Sequence, residues 1–189
     1  MDNNEKKIVI AGFGGQGIVV VGNIIARAAV IEDRHVVGMV CYGAEMRGGT
    51  ANATVIVSDE QIFNPVVTHP DLAIILNNPS LDRFEPMVAS GGTALLNTSM
   101  IQRNIQRTDI GCIQVEASEI AHRMGNTRIA NIVALGAFIE HTKLLSQESI
   151  EQGIKDLFSQ KNPKLVELNL QALNEGAVNS RCMQPVEQA

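Results

Sequence analysis

The sequence predicts a three-layer α/β/α domain of Rossmann-like type, with a mostly parallel sheet and a helical C-terminal part. Three observations carry that expectation. Short apolar runs alternate with helical stretches as far as about Ala117. Several of those runs, such as IVIAG and LAIIL, are apolar at every position rather than at every second one. A glycine-rich turn joins the first run to the first helix. Continuous apolar strands are buried on both faces, and strands that alternate with helices build a sheet covered on both sides.

In chain order, strands are expected at Lys7–Gly12, Val36–Tyr42, Ala53–Val57, Leu72–Leu76, Ala94–Asn97 and Cys112–Val115. The stretch Ile18–Ile31, IVVVGNIIARAAVI, is apolar nearly all round and predicts a deeply packed helix, with Gly22 placed for close contact with the sheet. A second helix is expected at Leu81–Ala89. After Ala117 the texture becomes helical: a short helix opened by Ser118 and Glu119, then a long apolar one over Ile129–His141. Ser146-x-x-Ser149 is a capping signal for a helix over Ile150–Phe158. Pro163 can open a last helix through Leu173, with Gly176 as its stop. Residues 1–177 read as one α/β domain and 178–189 as a polar tail containing Pro185, either loosely ordered or docked on a partner.

Composition narrows the function classes. Apolar residues make up 45% of the chain but aromatics only 3%, and there is no tryptophan, so the core is aliphatic and a base-stacking platform is not expected. A net charge of −5 without any lysine or arginine cluster argues against nucleic acid as a partner. Met1–Lys7 is polar and no apolar run is long enough to span a bilayer, so neither a signal peptide nor a membrane is expected. The three cysteines, Cys41, Cys112 and Cys182, lie far apart with no Cys-x-x-Cys pair. That usage points to the cytoplasm and excludes a zinc ribbon or an iron–sulfur cluster held by this chain alone. The four histidines show no ligand spacing, and no metal site is expected.

The chemistry concentrates in two glycine-rich segments. In the first, Gly12, Gly14, Gly15, Gln16 and Gly17 follow the first strand and open the first helix. Strand, glycine turn and helix N-terminus in that order make an anion cradle, because glycine permits positive φ and the first N–H groups of the helix point outward. The spacing also satisfies the dinucleotide fingerprint, which requires an acidic residue about 20 residues on, at the far end of the second strand. Glu32 and Asp33 precede that strand, and its far end carries Cys41 and Tyr42. NAD or FAD is therefore not expected. A turn that binds nothing, a phosphate-type ligand and a surface for another subunit remain as alternatives.

The second segment is CYGAEMRGGT, Cys41–Thr50. Arg47 can grip a carboxylate or phosphate with two parallel bonds, above a backbone turned by Gly48 and Gly49. The alternative is an internal ion pair of Arg47 with Glu45 that stiffens the loop. Since this loop follows the second strand as the first loop follows the first, both are expected on the carboxyl edge of the sheet, where ligands of open α/β folds gather.

The order GFGGQG, YGAEMRGGTANATVIVSD, NPVV, PDLAI, SGGTALLNTS and NIVALGAF, the last carrying Asn131, Leu135 and Gly136, resembles the γ subunit of 2-oxoacid:ferredoxin oxidoreductases from about Ile8 to Leu173. The YGAEMRGGTAN form is most similar to the 2-oxoglutarate enzymes, then to the branched-chain 2-oxoisovalerate enzymes, and more distantly to those acting on pyruvate. A free-standing nucleotide-binding domain is the alternative from the glycine fingerprint alone. The resemblance implies a multisubunit complex that decarboxylates a 2-oxoacid on thiamine diphosphate with Mg2+. The electrons pass through iron–sulfur clusters to ferredoxin, and the acyl group goes to coenzyme A. It implies α and β partner subunits, and in some complexes a ferredoxin-like δ subunit, holding the thiamine and clusters. This chain then contributes no catalytic residue. Its implied binding positions are Gly12, Gly14, Gly15, Gln16 and Gly17 in the first motif, and Tyr42, Glu45, Arg47, Gly48 and Gly49 in the second, where Gly43 also matches. Cys41 stands where a serine is usual in the family, and a thiol is a weaker donor, which counts against a direct polar role there.

Overall fold

A computed structural model describes residues 4–42, 50–159 and 163–183. Its sheet is built from β1 (Lys6–Phe13), β2 (His35–Tyr42), β3 (Thr50–Ser58), β4 (Leu72–Ile75), β5 (Thr93–Asn97), β6 (Gly111–Val115) and β7 (Arg181–Met183), in the spatial order β2-β3-β1-β4-β5-β6-β7. The helices are α1 (Ile18–Ile31), α2 (Asn78–Phe84), α3 (Ala117–Arg123), α4 (Ala130–Thr142), α5 (Gln147–Phe158) and α6 (Pro163–Val178).

The centre is parallel, as the sequence predicts: β1, β4, β5 and β6 run side by side in one direction. Both flanks are antiparallel, β3 between β1 and β2, and β7 against β6. Chain length explains the β2–β3 reversal. Only residues 43–49 separate the two strands, and a parallel crossover needs about a dozen residues or more.

The layers are unequal. On one face α1 and α4 lie against the sheet, and α5 and α6 pack outside them. From Asn131 to Ile139 every residue of α4 is buried, as expected of a helix enclosed on all sides. On the other face, α2 and a short 3-10 turn at Glu85–Met87 cover a smaller core of Val9, Ala11, Ala73, Ile75, Leu81 and Phe84 with its neighbours. The helix expected over Leu81–Ala89 thus starts earlier and ends at Phe84. Pro79 takes an N-terminal position and Asn77 caps it, accepting from Ser80 N–H at 2.9 Å.

Gly176 is not a stop. The last helix continues through it to Val178, because Gly176 and Gly136 let α6 and α4 touch backbone to backbone: a Cβ on Gly136 would lie 1.9 Å from the Leu173 carbonyl oxygen. Part of the segment read as a polar tail pairs with β6 as β7, while residues 184–189 lie outside the described residues. Gly22 faces the sheet as expected, but a Cβ there would meet Val55 Cγ2 at 3.5 Å, an ordinary contact. Gly22→Ala is therefore expected to stabilise the protein by about 0.5–1 kcal/mol, through helix propensity and a stiffer unfolded chain. A lower melting temperature for this variant would show that α1 lies closer to β3 than this spacing allows.

No helix bridges β5 and β6; a charged network fixes that loop. Glu85, only 3% exposed, accepts from Arg103 at 2.6 Å and from the N–H groups of Gln106 and Arg107, while Arg107 pairs with Asp109. Burial pushes the Glu85 carboxyl up, but these bonds and the Arg103 charge outweigh it and hold it below the ordinary range. The Arg107 bond holds Asp109 at about 2. Both groups favour the folded state above the unfolded carboxylate range of about 4, and that contribution fades as pH falls through their lowered values. Melting temperature is expected to drop between about pH 4 and pH 2, less steeply in Asp109→Asn. Identical acid limbs in the two proteins would remove Asp109 from the network.

Candidate functional site

The carboxyl edge of the sheet carries the first glycine segment and the two strand ends that flank the second. Phe13, the last residue of β1, lies opposite Thr50, and Tyr42, the last of β2, lies opposite Ala51. The first glycine loop and both ends of the second therefore stand at one edge. Gly43, Glu45, Arg47, Gly48 and Gly49 themselves lie outside the described residues, as does the Tyr42 side chain. Glu32 sits at the opposite edge, at the C-terminus of α1. There it accepts from Ser146 N–H at 2.7 Å and supports the start of α5. Burial raises its pKa, but the bonds from Ser146 and Ser149 and the Arg34 charge lower it further than burial raises it.

The first loop has an open outer side and a braced inner one. Gly14 and Gly15 are exposed. Gly15 has φ +97° and Gly17 φ +74°, so Gly17 caps α1 from the left-handed region without any side-chain bond to the helix. The first turn of α1 holds no acidic side chain. Its leading N–H groups have no carbonyl one turn behind them, and an anion placed there gains up to about 2 kcal/mol from the helix dipole.

Gln16 faces inward. Its Oε1 accepts from Phe13 N–H at 2.6 Å and from Asn77 Nδ2 at 3.2 Å, and so ties the loop to the start of α2. That oxygen braces the turn; only the Gln16 amide nitrogen remains for a ligand.

A residue outside the sequence-predicted list also shapes the loop. Asn131, at the start of α4 and 4% exposed, donates from Nδ2 to the Gly17 carbonyl at 3.1 Å. Its Oδ1 is buried and has no hydrogen-bond partner among the described residues. The sequence names Asn131 through the family resemblance, but no local pattern reveals a contact spanning 114 residues.

Other chemistry is sparse. The described residues bring together no group of His, Cys, Asp and Glu suited to a metal ion. Burial pushes the Cys112 thiol up to about 11, so it stays protonated at neutral pH. No described helix is long and apolar enough to cross a membrane.

Residues 7–178 match the family model of pyruvate ferredoxin/flavodoxin oxidoreductases. The chain belongs to that family. Ketoisovalerate oxidoreductase subunit VorA of Methanothermobacter thermautotrophicus is 38% identical over 174 residues, 92% of this chain but 36% of VorA. This chain thus spans about a third of the length of that relative. 2-Oxoglutarate synthase subunit KorC of Methanothermobacter marburgensis is 33% identical over 179 residues, covering 91% of this chain and 95% of KorC. Among solved structures, the keto/oxoacid ferredoxin oxidoreductase γ subunit of Geobacter sulfurreducens superposes with a TM-score of 0.79 at 29% identity, covering 92% of this chain and 97% of that one. The α/β fold described above is shared with that γ subunit.

Proposed function

We propose that the chain is the γ subunit of a thiamine-diphosphate-dependent oxidoreductase that converts 2-oxoglutarate and coenzyme A to succinyl-CoA and CO2, with the electrons passed to ferredoxin. The observation that carries this reading is the match to KorC along nearly the whole of both chains. The higher identity to VorA favours a second reading, in which the substrate is the branched-chain 2-oxoisovalerate. Thiamine diphosphate, Mg2+ and the clusters are assigned to α and β partner subunits, with a ferredoxin-like δ subunit where the complex has one. This chain supplies ligand edge and docking surface, in the cytoplasm.

The exposed Gly14–Gly15 turn and the start of α1, which no side chain caps, fit a phosphate of coenzyme A. Close backbone approach to that phosphate is assigned to Gly14 and Gly15, the turn that positions it to Gly12 and Gly17, and a further bond to the Gln16 amide nitrogen. Tyr42, Glu45, Arg47, Gly48 and Gly49 are assigned to the same ligand from the sequence motif, with Arg47 on an anionic group.

The test is to co-purify the chain with its companion subunits and measure ferredoxin reduction on 2-oxoglutarate, 2-oxoisovalerate and pyruvate. The expected result is coenzyme-A-dependent turnover that is fastest on 2-oxoglutarate, with the isolated chain colourless and inactive. Preference for 2-oxoisovalerate would move the assignment to the second reading. Turnover by the isolated chain at the rate of the complex would overturn both.

A further inference from the structure

The two edges of the sheet are protected very differently. β7 closes one side with three residues, beginning with Arg181. β2 closes the other with eight, HVVGMVCY, carrying no lysine, arginine, carboxylate or proline. Its register against β3 runs one to one from His35↔Ser58 to Tyr42↔Ala51, without a bulge. Among the described residues nothing pairs with its outer side. Edge strands ordinarily carry charge, proline or a bulge, because a bare row of N–H and C=O groups templates further pairing.

Apolar surface collects around this edge. Met39 is 46% exposed and Val40 43%, and they point to opposite faces of β2. On the Met39 face the helical layer does not reach β2. A groove of about 250 Å³ opens there, lined by Val9, Met39, Thr54, Val66, Phe84 and Met87 among others. The loop that forms its rim carries Phe63, 86% exposed. Exposed apolar area of this kind marks an interaction surface.

Resting on the functional reading above, we infer that the outer edge of β2 and this groove receive an extended, uncharged segment of another subunit of the same oxidoreductase. The segment adds a strand to the sheet and sets alternate apolar side chains into the groove. Relatives of this chain are themselves named as subunits, which favours a protein as the occupant. The geometry favours a different chain over a second copy. Two identical edges meeting in the plane of the sheet would pair β2 with β2 and leave the groove, on the face of the sheet, open. A segment of another chain can satisfy the edge and lie across the face together. The neutral strand adds no repulsion to that approach, although the whole chain carries −5.

The test co-expresses the chain with its companion subunits and compares the parent with Met39→Lys, Val40→Lys and Met183→Lys, the last on the opposite edge. The two β2 variants are expected to keep the circular dichroism and melting temperature of the isolated parent, yet to retain at least tenfold less companion subunit. Met183→Lys should assemble normally. Hydrogen exchange on the unsubstituted complex is the second measurement, independent of whether the variants fold: the β2 amides that point away from β3 should be protected only in the complex. Assembly of both β2 variants at parental yield, or those amides exchanging equally fast free and assembled, would overturn the inference. A concentration-dependent dimer of the isolated chain, dissolved by Val40→Lys while the complex is untouched, would make a second copy the occupant and also overturn it. Failure of the unsubstituted chain to assemble at all would remove the functional reading itself.

Discussion

Gly176→Ala and Gly136→Ala are expected to be strongly destabilising, by about 2–4 kcal/mol each, a fall of roughly 5–15 °C in melting temperature. Helix propensity alone gives the opposite sign, since alanine is better than glycine in a helix interior by about 1 kcal/mol. Space decides. A Cβ on Gly176 would lie 1.8 Å from the Val133 carbonyl oxygen, and one on Gly136 1.9 Å from that of Leu173. These obstacles are backbone atoms of the facing helix, which no rotamer change can move. α4 is buried from Asn131 to Ile139, so it has no free side toward which to retreat. α6 would have to lift, opening the contact between them. Gly22→Ala is the control, because the same change there meets only ordinary contacts and should stabilise. Urea melts of the three variants test the argument together. If all three shift in the same direction, the α4–α6 approach is not what those glycines serve.

The same residues show what was legible in the sequence. The bounds of α1 are those read from IVVVGNIIARAAVI, because an apolar stripe ended by polar residues depends only on local order. Ser146 caps α5 as its spacing announces, accepting from Ser149 N–H. Gly176 reads as a stop because the sequence signature of a helix stop and that of a close helix crossing are the same single glycine. Only the partner helix tells them apart. The sequence predicts a mostly parallel sheet without assigning a direction to β3, because an apolar run carries none. Direction lies in the length of the connection, and the segment 43–49 is too short for a crossover. β7 is three residues whose pairing with β6 comes from tertiary contact rather than from any run of strand formers.

In the candidate site the loop glycines were legible as a motif, and their division of labour was not. Gly15 and Gly17 take positive φ, whereas Gly12 and Gly14 do not. Gln16, read as ligand-facing, turns its oxygen inward because Phe13 N–H and Asn77 Nδ2 converge there, and Asn77 is remote in sequence. Asn131 could not have been found from spacing at all, since its contact joins the first helix to the fourth.

That contact supports the second large prediction. Gly17→Ala is expected to cost on the order of 2–4 kcal/mol and to raise the coenzyme A requirement of the assembled enzyme. Two effects combine. An L-residue at φ +74° is strained by about 1–2 kcal/mol. The new Cβ would also lie 2.3 Å from Asn131 Nδ2 and push away the donor that the Gly17 carbonyl uses. A buried amide already holding one unpaired oxygen would then lose its remaining bond. Asn131→Ala should be milder, because it orphans the Gly17 carbonyl but also removes that unpaired oxygen. The double variant separates the two causes. If displacement of Asn131 dominates, Gly17→Ala in the Asn131→Ala background should cost at least about 1 kcal/mol less than in the parent, a coupling well above the additivity error of distant sites. If backbone strain dominates, the two losses should simply add. Equilibrium unfolding of the four proteins measures that cycle. Activity of the corresponding complexes against coenzyme A concentration then tests whether the loop is part of the proposed coenzyme A site. Full coenzyme A affinity in a Gly17→Ala complex would assign the loop to folding alone and withdraw it from the binding edge.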